Sequence, residues 1–290
     1  MSENSISPEL EAKYEKLCAV LREMGDVNIG MSGGVDSVLL SKVAQDVLGE
    51  KALAVTADSP SLPRRELREA ESLAQMAGIR HMVVQTSEVA DPRYAANPNN
   101  RCYFCKTELF TNLDSLAEKL GFRWIAYGEN QDDLGDHRPG AVAAGEHSVR
   151  APLKEAGMTK ADIRALAQRV GLPVWDKPAF ACLGSRFPYG TQITPERLAQ
   201  VEAAEEVLWQ LGFRQFRVRY HGEVARIEVD RADIPRLVEA GEDVAARFKK
   251  EAGFTYVAMD LAGYRRGIMN EQPAQPAAAM FSLDQIQIGH

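Results

Sequence analysis

Residues 31–37 read Met-Ser-Gly-Gly-Val-Asp-Ser and join two segments of different pattern. The apolar run before them, residues 27–31, predicts a buried strand, and residues 36–48 predict a helix. Two consecutive glycines let the backbone turn sharply and expose its N–H groups, and a helix N-terminus adds the positive end of its dipole. The stretch therefore predicts a phosphate-binding corner, with a tight strand-to-helix turn capped by serines as the structural alternative.

The side chains of this loop suit a bound nucleotide. The hydroxyls of Ser32 and Ser37 are hydrogen-bond partners for phosphate oxygens, and the Asp36 carboxylate is a ligand for Mg²⁺ on those phosphates. The loop is not a Walker loop, because the pattern G-x-x-x-x-G-K-[ST] is absent. We predict that Ser32, Gly33, Gly34, Asp36 and Ser37 bind the phosphates of a nucleotide.

Strands and helices alternate around this loop. Apolar spacing predicts a packing helix over residues 8–24, strands over 52–57, 79–85 and 122–127, and helices over 63–77, 107–120 and 158–170. Such alternation is typical of a parallel sheet whose strands are joined by helical crossovers. The predicted fold class is therefore α/β, with a layered parallel sheet.

The composition changes near residues 173–195, where prolines and glycines crowd together. Beyond that region the pattern predicts a helix over 194–211, strands over 214–220 and 224–229, a helix over 234–250 and a strand over 254–259. This order is typical of a small α+β domain. We expect a larger domain over residues 1–188, a smaller one over 189–270, and a mobile tail over 271–290, which offers little to bury.

The overall composition narrows the possible functions. The 290 residues are 45% apolar, which is enough for a sizeable core, and the net charge is −7. An acidic chain is a poor partner for polyanions, so we expect no nucleic-acid surface. No apolar run is long enough to cross a membrane, and the first residues lack the pattern of a signal peptide. We expect a cytoplasmic protein that contacts no membrane.

Three cysteines lie in segments that suggest chemistry. Cys102 and Cys105 form a C-x-x-C pair just ahead of a predicted helix, and the flanking Arg101 and Lys106 favour thiolate. Cys182 lies in the Pro/Gly-rich region at the domain boundary, where clefts form. Pairs of this spacing serve as redox dithiols, as half of a zinc site or as ligands of an iron–sulfur cluster. Three sulfurs without an obvious fourth ligand suit a cluster better than zinc.

Two arginines of the second domain indicate an anion site. Arg217 and Arg219 are two apart on a predicted strand and so project from one face. Two guanidiniums attract a dianion, and arginine favours bidentate recognition of phosphate. Arg186 near the boundary and Arg266 beyond the last strand are further candidates. The alternative is a solvated strand face on which acids such as Glu228 neutralise the pair.

The chain resembles the PP-loop ATP pyrophosphatase superfamily, whose S-G-G-x-D-S motif stands here at residues 32–37. This resemblance implies a HUP-like parallel-sheet domain that binds ATP with Mg²⁺ and transfers AMP to a carbonyl or carboxyl oxygen. Asp58 and Gly128 end two other strands, where open α/β sheets place ligands and where the superfamily cradles adenosine. We expect both to bind the nucleotide, with ordinary strand-to-loop exits as the alternative.

The resemblance narrows to the LarE family of ATP-dependent sulfur transferases. It covers residues 8–270 and is carried by the loop at 32–37, by A-C-L-G-S-R-F-P-Y-G-T at 181–191 and by Y-R-R-G at 264–267. The family converts the two carboxylates of a pyridinium mononucleotide into thiocarboxylates, on the way to the nickel-pincer nucleotide cofactor. The resemblance implies that Cys182 delivers the sulfur with Arg186 beside it. It also implies that the substrate phosphate is held by Arg186, Arg217, Arg219 and Arg266.

Two classes exist in this family. One has a single cysteine, which it sacrifices, and the other has two more, which this chain matches with Cys102 and Cys105. The resemblance to the second class implies a 4Fe-4S cluster, held by Cys102, Cys105 and Cys182, that carries an extra sulfide for transfer. It also implies a homo-oligomer that acts on a small molecule.

Three other functions are compatible with the loop. A tRNA thiolase of the same superfamily also combines the loop with cysteines, but the charge of −7 and the lack of an added basic or zinc-ribbon domain disfavour it. An ammonia-dependent AMP-forming synthetase needs no thiol centre, so the three cysteines disfavour it. A nucleotide-binding regulator that senses iron or redox state would release no pyrophosphate with any substrate.

Overall fold

The computed structural model describes residues 7–135, 139–178 and 181–265. The helices and strands in chain order are α1 (Pro8–Met24), β1 (Val27–Gly30), α2 (Val35–Leu48), β2 (Ala52–Asp58), α3 (Arg64–Met76), β3 (His81–Gln85), α4 (Pro92–Ala95), α5 (Arg101–Leu120), β4 (Ile125–Tyr127), α6 (Pro139–Glu146), α7 (Pro152–Glu155), α8 (Lys160–Arg169), α9 (Pro195–Gln210), β5 (Phe216–His221), β6 (Val224–Val229), α10 (Ile234–Glu239), α11 (Gly241–Glu251) and β7 (Tyr256–Met259). Among these helices, none has the length and apolar character needed to span a membrane.

The first sheet has four strands in the order β3-β2-β1-β4, and every pair is parallel. In the centre of the sheet, Ile29 of β1 lies opposite Ala54 of β2 on one side and Ala126 of β4 on the other. Parallel strands bring their carboxyl ends to one edge of the sheet, and here that edge includes the loop after β1. The predicted α/β class with a parallel sheet is confirmed.

Helices cover both faces of this sheet, as a parallel sheet requires. Side chains alternate along each strand, so Val27 and Ile29 of β1 face a core formed with α1, α2 and α8. Leu53 and Val55 of β2 face the other way, into a core formed with α5. The predicted helix over residues 8–24 is confirmed as α1, and the Ser7 hydroxyl caps it by accepting a hydrogen bond from Leu10 N.

The second sheet has the order β5-β6-β7, with β5 and β6 antiparallel and β6 and β7 parallel. Helices α9 and α11 pack on it, which confirms a second, smaller α+β unit. Its core also contains Tyr94, Leu183 and Phe187, which come from before residue 188. The division into residues 1–188 and 189–270 stays a prediction, because this core takes residues from both sides. The tail at 271–290 lies outside the described residues.

Two helices differ from the prediction. The helix expected over 107–120 begins at Arg101, so the C-x-x-C pair occupies its first turns instead of preceding it. Phe104 and Cys105 pack against the second core, and this distant contact extends the helix beyond what its own apolar spacing indicates. The helix expected over 234–250 is two helices, α10 and α11, that meet at Gly241, a residue of low helix propensity.

A buried ion pair joins the segment after Cys182 to the second unit. Arg186 is 0% exposed, and its Nε and Nη2 donate to the Glu205 carboxylate at 2.8 and 3.0 Å. The same carboxylate accepts the backbone N–H of Val218 at 3.0 Å. Burial alone would raise the pKa of Glu205, but Arg186 and the Val218 N–H hold it below its ordinary value. The carboxylate is therefore charged and ties a loop, a helix and a strand together.

We expect Glu205→Gln to lower the free energy of unfolding by about 3–5 kcal/mol, because the substitution leaves the buried Arg186 guanidinium without a counter-charge. Urea titration near neutral pH measures this loss. Glu206→Gln changes the neighbouring, more exposed carboxylate and should cost less than about 1 kcal/mol. Equal midpoints for the two variants would contradict the role of the pair.

The same pair predicts how stability depends on pH. Because the pKa of Glu205 is lowered in the folded chain, its stabilisation is present above the ordinary value of 4.5 and is lost as the pH falls through the folded value. Wild-type stability should therefore drop more steeply in acid than that of Glu205→Gln, as urea titrations at pH 7 and in acid would measure. Parallel pH curves would contradict it.

Candidate functional site

The loop between β1 and α2 is a compact turn at the edge of the first sheet. Gly33 has a φ of +75°, a left-handed conformation that favours glycine. The N-cap residue of α2 is Gly34, which has no side chain to occupy the helix N-terminus. The Ser37 hydroxyl accepts the Ser32 N–H at 3.1 Å and donates to the Gly34 carbonyl at 3.1 Å. These bonds shape a turn that presents backbone N–H groups to an anion.

Strand β4 ends against the beginning of α2, and this approach requires Gly128. A Cβ atom at that position would lie 2.8 Å from the Ser37 nitrogen and 3.0 Å from the Ser37 Cα. Both are backbone atoms of α2, so no side-chain movement relieves the contact. Gly128 therefore closes one wall of the corner that the phosphate loop forms.

A cavity of about 190 Å³ lies at the carboxyl ends of the central strands. It is lined by Gly30, Met31, Ser32, Asp36, Ser37, Val55, Thr56, Ala57, Leu62, Lys106, Leu109, Tyr127 and Gly128. Four predicted nucleotide residues share this lining, whereas Gly33 and Gly34 act through the shape of the loop. Among the described lining residues, Lys106 of α5 is the one cation. The cavity thus extends from the phosphate loop to the residue that follows Cys105.

Two lysines that the sequence analysis missed hold the phosphate loop. Lys160, at the start of α8, forms an ion pair with Asp36, which also accepts a hydrogen bond from Asn130 at 3.4 Å. Lys177 donates to Glu66 at 2.8 Å and reaches the Gly33 carbonyl at 3.5 Å. Neither lysine belongs to a motif, so no sequence signal marked them. The role of Asp36 as a Mg²⁺ ligand stays a prediction.

Asp58 ends β2, as expected, but its carboxylate is bound by other side chains of the protein. It accepts a hydrogen bond from the Gln85 amide at 2.6 Å and forms an ion pair with Arg64. Its neighbour Ala57 lines the cavity instead. Contact between Asp58 and adenosine stays a prediction.

The three cysteines come together where α5 begins. Burial raises the pKa of the Cys105 thiol, and Cys182 and Glu88 raise it further. The protein atoms packed around Cys102, together with Cys182, raise the pKa of that thiol against the opposing effect of Arg101. Each of the two pairs involving Cys182 is therefore close enough to interact. Cys102 is exposed, whereas Cys105 and Cys182 are partly buried.

The arrangement of the three cysteines bears on whether they bind a single metal ion or a cluster. Over residues 7–135, 139–178 and 181–265, no three His, Cys, Asp or Glu side chains surround one position suited to a single metal ion. Cysteines that hold an iron–sulfur cluster bind its separate irons, so they border a volume and do not converge on one point. The beginning of α5 adds the positive end of a helix dipole, which favours anionic sulfur. The assignment of a 4Fe-4S cluster to these thiols stays a prediction.

The predicted anion face of the second unit is buried and not solvated. Arg217 is 8% exposed and Arg219 is 5% exposed. Arg219 donates to Glu228 at 2.7 Å and to the Ser185 carbonyl at 2.8 Å. Burial and then Arg186 lower the pKa of Arg217 to about 10. The interpretation as a solvated strand face is therefore wrong, although Glu228 is indeed a partner.

The remaining two arginines have different positions. Besides Glu205, Arg186 donates to the carbonyls of Ala181 and Cys182 at 2.7 and 3.2 Å. These bonds show that Arg186 shapes the Cys182 loop, and its contact with substrate stays a prediction. Arg266 lies outside the described residues.

Comparison with known proteins places this geometry in context. A family model described as NAD synthase matches residues 13–100, the part that contains the phosphate loop. An uncharacterised protein of Synechocystis sp. is 49% identical over 264 residues, which are 90% of this chain and 98% of that protein. The tRNA-specific 2-thiouridylase MnmA of Xanthobacter autotrophicus is 32% identical over 192 residues, 52% of this chain and 49% of that one.

A relative named for its enzymatic activity matches almost the whole chain. The pyridinium-3,5-bisthiocarboxylic acid mononucleotide synthase of Lactiplantibacillus plantarum is 37% identical over 274 residues, which are 94% of this chain and 99% of that enzyme. The match therefore includes both sheets, the phosphate loop and the Cys182 segment. With this likeness over both structural units, the chain belongs to the LarE family of the PP-loop ATP pyrophosphatase superfamily.

Proposed function

We propose that this chain is an AMP-forming sulfur transferase that converts the carboxylates of pyridinium-3,5-biscarboxylic acid mononucleotide into thiocarboxylates. The observation that carries the proposal is the cavity lined both by the phosphate loop and by Lys106, the residue after Cys105. A nucleotide bound in that cavity has its phosphates at one end and the thiols near the other. The name of the L. plantarum relative supports the bisthiocarboxylic acid product.

The first step is activation of a carboxylate. A carboxylate oxygen of the substrate attacks the α-phosphorus of ATP, the bond to the β-phosphate oxygen breaks, and pyrophosphate leaves. The backbone N–H groups at the start of α2 and the hydroxyls of Ser32 and Ser37 bind the departing charge. Asp36 holds Mg²⁺ on the phosphates when a divalent cation replaces Lys160 as its partner. Asp58 and Gly128 border the nucleoside.

The second step is sulfur transfer. Sulfur held at the Cys182 centre attacks the carbonyl carbon of the acyl adenylate, a C–S bond forms, the bond to the AMP oxygen breaks, and AMP leaves. A second round treats the other carboxylate. Arg186 orients this centre through the carbonyls of Ala181 and Cys182. Arg217, Arg219 and Arg266 bind the ribose phosphate of the substrate.

The residues that hold a 4Fe-4S cluster in this proposal are Cys102, Cys105 and Cys182. The support is that Cys182 interacts electrostatically with both other thiols at the N-terminus of α5. Such a cluster would supply an exchangeable sulfide for transfer, so that Cys182 would not be consumed.

We propose further that the enzyme is a cytoplasmic homo-oligomer that binds no nucleic acid. The net charge of −7 supports a small-molecule substrate over a polyanion. The four cysteines are free thiols in the structure, which is compatible with a reducing compartment.

A tRNA thiolase is the second candidate, because MnmA is 32% identical to this chain over 192 residues. That match covers only about half of either protein, whereas the L. plantarum enzyme matches nearly full length. Thiolation of tRNA but not of the pyridinium mononucleotide would favour this alternative.

Cys182→Ala should abolish thiocarboxylate formation, because it disrupts the centre that holds the transferred sulfur. Substrate-dependent ATP–pyrophosphate exchange should remain within about twofold of wild type, since that step precedes the sulfur transfer. The control is Cys18→Ala, which alters a cysteine of α1 that is buried in the hydrophobic core, and this variant should retain sulfur transfer. Unchanged thiocarboxylate yield in the Cys182 variant would contradict the assignment.

Protein purified without oxygen should contain iron and acid-labile sulfide, and Cys102→Ala should lose most of both, because two thiols hold a cluster poorly. Chemical iron and sulfide assays with an absorption spectrum measure this. Wild-type protein that stays free of iron after reconstitution would overturn the cluster and leave Cys182 as a donor consumed once per transfer.

Gly128→Ala should reduce ATP–pyrophosphate exchange on the order of 100-fold, because the new Cβ pushes against the α2 backbone and displaces the phosphate loop. The matched control is Gly145→Ala in α6, where an added Cβ meets nothing within 4 Å. Normal exchange in the Gly128 variant would show that β4 does not set the geometry of the loop.

A further inference from the structure

Arg101, the first residue of α5, is a buried cation that lacks an acidic partner among the described residues. Its side chain is 6% exposed, its Nη1 donates to the Asn97 amide oxygen at 2.6 Å, and its guanidinium lies 5.4 Å from the centre of the Tyr189 ring. The buried Arg186 and Arg219, by contrast, each pair with a glutamate. A buried charge whose described partners are neutral is expensive unless an anion compensates it.

Arg101 also has a donor that the described protein does not use. Within the described ranges its Nε–H makes no hydrogen bond and is shielded from water. Buried donors of charged groups are almost always satisfied, so an unused one indicates a partner of another kind. The donor lies beside Gly184, where an added Cβ would be 3.6 Å from Arg101 Nε.

Tyr94 presents a second buried donor at the same place. The residue is 1% exposed, and its hydroxyl makes no hydrogen bond of good geometry to the described residues. The nearby Ser61 hydroxyl donates to Glu88 at 2.6 Å instead. An added Cβ at Gly184 would lie 2.7 Å from the Tyr94 hydroxyl. The absence of a side chain at Gly184 therefore lets both donors lie close to this residue.

The three thiols belong to the same region as these two donors. Gly184 is two residues after Cys182, and Arg101 directly precedes Cys102. Burial raises the pKa of the Tyr94 hydroxyl, and Cys182 and Cys105 raise it further, which makes both cysteines neighbours of the phenol. Arg101 counteracts the rise in the pKa of Cys102. A buried guanidinium, a buried hydroxyl and three thiols thus meet at the N-terminus of α5.

We propose that Arg101 and Tyr94 are the charge-compensating residues of the sulfur centre. The guanidinium supplies a buried positive charge, and the hydroxyl donates a hydrogen bond, to the negatively charged sulfur that Cys102, Cys105 and Cys182 hold. This inference rests on the proposed function, because it takes the three cysteines as the sulfur carrier. Since Arg101 forms no ion pair with a described carboxylate, its charge remains available to the sulfur, and burial strengthens that interaction.

The test measures the midpoint potential of the reconstituted cluster by spectroelectrochemistry. Reduction adds a negative charge, so Arg101→Met should shift the potential to more negative values, and Arg101→Lys should restore most of it. Tyr94→Phe should shift it in the same direction by less, through the lost hydrogen bond. The control is Arg93→Gln, which removes an exposed guanidinium that is paired with Asp91 and screened by water.

A second readout uses iron-free protein. There no cluster is present, so Arg101→Met removes an uncompensated charge, and its Tm should lie within about 2 °C of wild type or above it. A merely structural arginine would behave differently. Its loss would lower the Tm by more than about 4 °C in methionine and lysine variants alike and leave the potential unmoved. That result would overturn the proposal.

The two proposals fail in different ways. If the wild type takes up no iron, the cluster of the proposed function fails, and the Tm of the iron-free variants still decides the role of Arg101. If the wild type is loaded and active but Arg101→Met has an unchanged potential, the proposed function stands and charge compensation by Arg101 is wrong.

Discussion

The ion pair between Arg186 and Glu205 fixes where Cys182 stands. Both carboxylate oxygens and two guanidinium nitrogens are used, and a third nitrogen holds the carbonyl of Cys182 itself. The Coulomb energy of a buried pair offsets its desolvation only when the geometry is this complete. Glu205 also accepts the Val218 N–H, so one carboxylate sets a loop, a helix and a strand in register. Without it the Cys182 loop would lose its tie to the second unit.

Two helix N-termini organise the rest of the site. The start of α2 presents N–H groups to phosphate, and the start of α5 carries two of the three thiols. Lys106 connects them, because its side chain lines the nucleotide cavity while its charge opposes the raised pKa of Cys102 and Cys105. One cation therefore faces both the phosphates and the sulfur, and a nucleotide in the cavity would share it with the thiols.

The sequence predicted those features whose signal is local. The loop at 31–37, the parallel sheet and most helix bounds follow from glycine placement and apolar spacing within about 20 residues. The missed features depend on distant contacts. Asp36 and Lys160 are 124 positions apart, and nothing near either residue marks the other. The sequence did not predict that α5 begins at Arg101 for the same reason, because this beginning depends on the packing of Phe104 and Cys105 against the second core. Ion pairs between distant residues leave no periodic pattern in the sequence. Only the folded structure therefore shows that Arg217 and Arg219 are buried.

The thiol centre combines two opposing demands. Burial keeps water from an acyl adenylate, but it also raises the pKa of Cys105 and so favours a thiol, a poor nucleophile. Positive charge must therefore be present where sulfur is to act as an anion. The helix N-terminus, Lys106 and the unpaired Arg101 supply it from three directions, and no described carboxylate forms an ion pair with either side chain. One acid opposes them, because the buried Glu88, which accepts hydrogen bonds from Ser61 and Thr86, raises the pKa of Cys105. In the proposed function, this positive charge stabilises negative charge on sulfur and, after transfer, on the AMP phosphate beside Lys106.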